Sequence, residues 1–172
     1  MTIHSDHPFR EPESDPVRQL RGRLGGAVTL WTAGTGEDVH DWAGLTVTSL
    51  LVAAGEPARL LALLDPDSDL VAGLTASGRA LVALLSWDDR GLADAFAGAA
   101  PAPGGPFRQA EFETTPWGPR LAGTVTWAGV RLESRTEVGW SALVTCVVEE
   151  LEIGDREPLI HRRGRYQRPT DR

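Results

Sequence analysis

The chain has 172 residues, 41% hydrophobic and 24% charged, the length and balance of one domain that can bury a core. Its 24 acidic against 17 basic residues leave a net charge of -7, which argues against a nucleic-acid protein, because phosphate backbones demand clustered cations. A single cysteine, Cys146, excludes an internal disulfide framework and a cysteine-based zinc site, and fits a reducing cytoplasm.

Residues 1–14 read as a loose polar leader, without the basic-then-apolar order of a signal peptide, and residues 15–172 as one domain. No apolar run reaches the roughly 20 residues that span a bilayer, so the expectation is a soluble protein with no membrane partner. From Asp15, DPVRQLRGRL offers an Asp N-cap, a Pro at the first helical position, and Val17, Leu20 and Leu24 at helical spacing; Gly25 and Gly26 end it. AVTLWT, residues 27–32, is rich in β-branched and aromatic residues and predicts a strand, with AGTGED as the turn after it. AGLTVTSLL, residues 43–51, predicts that strand's partner, yet sets Thr46, Thr48 and Ser49 among aliphatic neighbours.

ARLLALLD, residues 58–65, has the length of a buried strand. DSDLVAGLTASG predicts a short helix capped by Asp67 or Ser68, with Leu70, Val71 and Leu74 on one face and Gly78 as its stop. RALVALLSW follows as a strand, and DDRGLADAFAG as a second short helix capped by Asp88 or Asp89. PAPGGP, residues 101–106, sustains neither regular structure and marks a loop between halves. Beyond it, LAGTVTWAGVRLESRT and SALVTCVVEELEI predict two long strands joined through EVGW, and PLIHRRGRY a last strand-like segment. Six or seven strands with only short helices predict a mainly β protein, an antiparallel barrel.

DPDSD places Asp65, Asp67 and Asp69 as in the start of a calcium loop, but Leu70 stands where glycine is required and Ala76 where the bidentate glutamate belongs. A turn with a helix cap is the better reading, and no metal is expected. His4 and His7 fall in the leader, and His40 and His161 lie far apart, so no zinc set forms. No G-x-S-x-G elbow, phosphate-binding glycine loop or dinucleotide fingerprint occurs.

Taken in order, VRQLRGRLGGAVTLWT, AGLTVTSLL, LLALLDPDSDL, SGRALVALLS with GLADAFAG, and EPLIHRRGRY resemble the flavin reductase-like family of FMN-binding split barrels, from about Val17 to Tyr166. The resemblance implies a split barrel with short peripheral helices, binding FMN or FAD and using NADH or NADPH. It implies a homodimer, with a monooxygenase as a possible partner for the reduced flavin. It also gives the hydroxyls a purpose: Thr46, Val47, Thr48 and Ser49 would line the flavin ring, Asp65 and Ser68 would mark the phosphate turn at a helix start, and Phe96 and Tyr166 would line the site. This chain departs from the family in several places. Asp67 and Asp69 flank Ser68, Leu70 stands where a threonine is usual, Ala83 where an asparagine is usual, and Trp140 aligns with the histidine near flavin and nicotinamide. No catalytic residue is therefore assigned, and the alternative is a split barrel that holds flavin or haem without turnover.

Overall fold

A computed structural model describes residues 15–168; the predicted leader, with His4 and His7, lies outside the described residues. The first helix, α1 (Pro16–Leu24), starts where its cap places it, with Asp15 Oδ1 accepting from Val17 N at 3.0 Å. Its apolar stripe does not reach the core: Val17, Leu20 and Leu24 are 72%, 61% and 75% exposed.

The predicted first strand divides at Val28. Gly26–Ala27 (β1) leaves the main sheet and Thr29–Ala33 (β2) joins it, because Val28 is bonded on both sides, its N–H to Leu159 O and its carbonyl to Leu85 N. Every residue of β2 is buried. Trp31 and Ala33 face the barrel interior and Leu30 a second apolar layer outside it, which accounts for a continuous rather than alternating apolar run.

AGLTVTSLL is likewise two strands, β3 (Ala43–Val47) and β4 (Leu50–Ala53), separated by Thr48 and Ser49. With β5 (Arg59–Leu64), β6 (Arg79–Leu84), β9 (Trp127–Val138) and β10 (Ser141–Glu152) they form a seven-stranded antiparallel sheet of order β3-β2-β6-β9-β10-β5-β4. Its two edges are consecutive halves of one chain segment, so the sheet has to curl until they meet at Thr48–Ser49. This is the predicted split barrel, mainly β and antiparallel.

Helix α2 (Asp69–Ser77) carries out its sequence pattern: Ser68 Oγ accepts from Val71 N, Gly78 stops it at φ 71°, and Leu70, Val71 and Leu74 enter the barrel core. Burying such side chains stabilises by about 1.5–3 kcal/mol each. Gly73 of α2 faces Ala33 and Ala43, at the ends of β2 and β3 away from the Thr48 corner. Helix α3 (Arg90–Phe96) packs outside β3, with Ala93 and Phe96 buried in the outer layer.

The strand predicted from Leu121 begins only at Trp127, because the chain turns at Ala122–Gly123 (Gly123 φ 79°), and Leu121 instead pairs in a two-stranded ribbon of β7 (Phe112–Glu113) and β8 (Arg120–Leu121). The predicted last strand is a hairpin, β11 (Ile160–Arg162) and β12 (Arg165–Gln167), and β11 also pairs with β1 to form a separate three-stranded sheet. Arg163 and Gly164, both at positive φ, make its turn.

Candidate functional site

The corner between β3 and β4 shows where the three hydroxyls go. Thr46 Oγ1 donates to the Ala93 carbonyl of α3 at 2.6 Å, and Ser49 Oγ donates to Leu63 O at 2.6 Å. Both bonds tie the corner to its surroundings, one outward to α3 and one across to β5. Each such bond is worth about 1 kcal/mol. Val47 is buried, and its carbonyl accepts the hydroxyl of Thr29 at 2.7 Å. Thr48 is exposed, and among the described residues its hydroxyl has no side-chain hydrogen bond. Its carbonyl lies so close to β1 that a Cβ on Gly26 would stand 2.7 Å from it. Glycine is required there for that close approach.

The register carries the other predicted segments to the same region. Ser49 is bonded to Leu63, Leu64 pairs with Ala142, and Ser141 pairs with Val138. The turn at Asp65–Ser68 and the β9–β10 hairpin therefore emerge beside the corner. The turn is closed on itself: Asp65 Oδ1 accepts from Asp67 N at 2.9 Å, Ser68 Oγ donates to Asp65 O at 2.7 Å, and the same oxygen accepts from Val71 N at 3.3 Å. The connection between β9 and β10 is Gly139–Trp140, with Gly139 at φ 57°, and Trp140 at its tip is 99% exposed.

Tyr166, on β12, donates to Asp94 Oδ1 at 2.6 Å. Burial first, and the bond and charge of Asp94 next, push its hydroxyl well above the usual range. The half-buried His161 meets Tyr166 edge-on, with centroids 5.3 Å apart, and pairs with Gly26. Phe96 sits elsewhere, 5% exposed in an outer aromatic cluster, with Phe107 at 4.8 Å and Phe112 at 6.0 Å and its ring against Gly44. The structure thus gathers Thr46 to Ser49, Asp65, Ser68, the Trp140 hairpin and Tyr166 around one corner, and buries Phe96 in the layer behind α3.

His161, Asp94 and Gly26 join this neighbourhood without having been singled out from the sequence. Only tertiary pairing brings them there, although His161 stands inside the terminal segment that carries the family pattern. Burial pushes the Cys146 thiol up to about 12, so it stays protonated and inert. Among the described residues no group of three His, Cys, Asp or Glu could hold a metal, and no helix is long and apolar enough to cross a membrane. An open depression of about 470 Å³ lies away from the corner, between Val39–Trp42 and Gly104–Arg108, and no predicted site residue lines it.

Residues 21–170 match the family described as the flavin reductase like domain. Among solved structures, the NADH:FAD oxidoreductase of Streptomyces globisporus superposes with a TM-score of 0.78 at 22% identity, covering 94% of this chain and 99% of that one. The styrene monooxygenase flavin reductase of Pseudomonas putida gives 0.75 at 24% identity, covering 90% and 98%. A flavin reductase domain protein from Arthrobacter gives 0.77 at 23%, covering 90% and 94%. At these identities the likeness to solved structures is one of fold. No curated protein matches the chain.

Proposed function

Since the chain belongs to the flavin reductase-like domain family, we propose that it is a flavin-binding oxidoreductase of the NAD(P)H:flavin reductase type. The reading takes FMN or FAD as the flavin and NADH or NADPH as the reductant. Reduced flavin handed to a partner monooxygenase is the output that fits it best, in keeping with the styrene monooxygenase flavin reductase among its structural relatives. A chain with one buried cysteine fits a cytoplasmic setting.

The observation that carries the reading is the state of the corner hydroxyls. Thr46 and Ser49 already donate their hydroxyl hydrogens to main-chain carbonyls and have only acceptor lone pairs to offer, whereas Thr48 has its donor free in an exposed position. A flavin ring presents carbonyl acceptors together with one imide N–H, so Thr48 would donate to the former while an oxygen of Thr46 or Ser49 receives the latter. The close approach of Gly26 leaves room for nothing larger than backbone behind Thr48. When bound, the flavin supplies the hydride chemistry. The protein's task is to hold the ring edge and admit the nicotinamide. Trp140, where the resemblance places a histidine, has one N–H donor and no proton to transfer at neutral pH, so it cannot do acid–base work.

The same reading includes a homodimer. Leu51, Val52 and Leu63 are 70%, 71% and 43% exposed, β4 pairs on one side only, and α1 leaves its own apolar stripe of Val17, Leu20 and Leu24 uncovered. Apolar exposure on this scale marks an interaction face.

The second reading, a barrel that binds flavin or haem without turnover, is favoured by the resemblance itself, which puts a histidine for the nicotinamide reaction where this chain has Trp140. An absorbance spectrum of the purified protein separates the two. Flavin bands that bleach on anaerobic NADH or NADPH addition are the result expected of the reductase. Flavin bands that persist leave the binding module, and failure to retain or take up any flavin overturns both flavin readings.

A further inference from the structure

Two arginine-bearing segments from opposite ends of the chain meet beside the Thr48 corner. Helix α1 carries Arg18, Arg21 and Arg23; the β11–β12 hairpin carries Arg162, Arg163 and Arg165, and all are exposed. The segments are in contact. Arg163 N donates to Gly22 O at 2.9 Å, and a Cβ on Gly25 would stand 3.1 Å from Cβ and Cγ of Arg162. The next residue, Gly26, is the one that touches Thr48.

This concentration of positive charge runs against a chain of net charge -7. Among the described residues the ion pairs engage Arg59, Arg79, Arg120 and Arg131, and none of these six arginines. Arg21 and Arg23 complement the helix dipole in the last turn of α1. Of the hairpin arginines, Arg162 lies 3.3 Å from the side-chain amide oxygen of Gln167, a neutral partner that leaves its charge uncompensated, and Arg163 and Arg165 have no side-chain partner among the described residues. Arg163 is, moreover, the one non-glycine residue at positive φ (53°) among the described residues.

The turn where the resemblance would put a phosphate offers the opposite electrostatics. Asp65, Asp67 and Asp69 surround Ser68, whose hydroxyl proton is spent on Asp65 O and whose oxygen is spent on Val71 N. A phosphate there meets like charge and a closed turn.

We propose that the cluster formed by α1 and the β11–β12 hairpin, not the Ser68 turn, receives the diphosphate of a dinucleotide whose ring end lies at the Thr48 corner. The proposal rests on the flavin reading above. Guanidinium groups from two elements suit a diphosphate, because each presents a planar fork of donors to paired oxygens. The diphosphate belongs either to FAD or to the nicotinamide dinucleotide, and the two share this chemistry.

The test compares the wild type with an Arg21→Gln/Arg23→Gln/Arg162→Gln variant by titration with riboflavin, FMN, FAD, ADP and NADH. Unchanged riboflavin affinity is expected, together with a loss of at least about tenfold for ADP, the scale of one charge-assisted hydrogen bond. A parallel loss for FAD assigns the site to the flavin; a parallel loss for NADH assigns it to the nicotinamide. Unchanged affinity for ADP, FAD and NADH overturns the proposal, as does an equal loss for riboflavin. Failure of riboflavin to bind the wild type instead overturns the flavin reading, and the ADP titration still decides the arginine cluster.

Discussion

Thr46 and Tyr166 are tied to neighbouring residues of one short helix: the threonine hydroxyl donates to Ala93 O and the tyrosine hydroxyl to Asp94 Oδ1, each at 2.6 Å. Helix α3 thereby holds the β3–β4 corner and the terminal hairpin in fixed relation, although neither segment pairs with the other.

Tyr166→Phe removes the donor and leaves the Asp94 carboxylate to solvent. The expected cost is about 1 kcal/mol, below the full value of a charged hydrogen bond because the site is only half-buried. Folding raises the tyrosine's pKa, so the neutral form is favoured and its contribution is whole below the unfolded value of about 10. It fades as pH rises from there towards the raised folded value. Urea denaturation of wild type and variant at neutral pH and above pH 10 should show their difference shrinking. A constant difference would mean that the bond does not govern the titration.

Thr46→Val and Thr48→Val separate support from binding. The first strands part of the Ala93 carbonyl and should cost about 1 kcal/mol of stability. The second removes an exposed hydroxyl and should change stability by no more than about 0.5 kcal/mol while weakening flavin binding. Thermal unfolding and flavin titration together check both, and undiminished affinity in Thr48→Val would remove Thr48 from the site.

Trp140 is 99% exposed, so Trp140→Ala should leave the protomer's thermal unfolding within about 0.5 kcal/mol of the wild type. We expect weak NADH oxidation by the native protein and a faster rate in Trp140→His, with flavin affinity little altered. Stopped-flow reduction measures this directly. Brisk native turnover that survives Trp140→Ala would show that the indole does not limit hydride transfer.

Assembly is tested at β4. Leu51→Glu places a charge on the exposed apolar face without entering the core, since Leu51 is 70% exposed. Light scattering should show a dimer for the wild type and a monomer for the variant, with flavin affinity reduced in step. A wild-type monomer that binds flavin tightly would end the dimer proposal.

What the sequence determined by itself were the features set by neighbours a few residues apart. Asp15 and Ser68 cap the helices they precede, Gly78 stops α2, Leu70, Val71 and Leu74 share its buried face, and the apolar runs at 59–64 and 79–84 are strands. Short-range sterics and hydrogen bonds decide these, and the order of such segments was enough to place the chain in its family. Tertiary structure alone decided what depends on distant partners. AGLTVTSLL alternates evenly, yet its halves pair with β2 and β5 at opposite sheet edges, because register with remote strands, not local pattern, sets where a strand belongs. Where the hydroxyls of Thr46 and Ser49 bond could not be read locally, because their acceptors, Ala93 and Leu63, lie on other elements. Phe96 and the α1 stripe were legible as apolar, but which side would be covered depended on the aromatic cluster behind α3 and on the absence of any described element over Val17, Leu20 and Leu24. The arginines of α1 and of the terminal hairpin form one patch only because Arg163 N reaches Gly22 O across the length of the chain, a contact that no local spacing encodes.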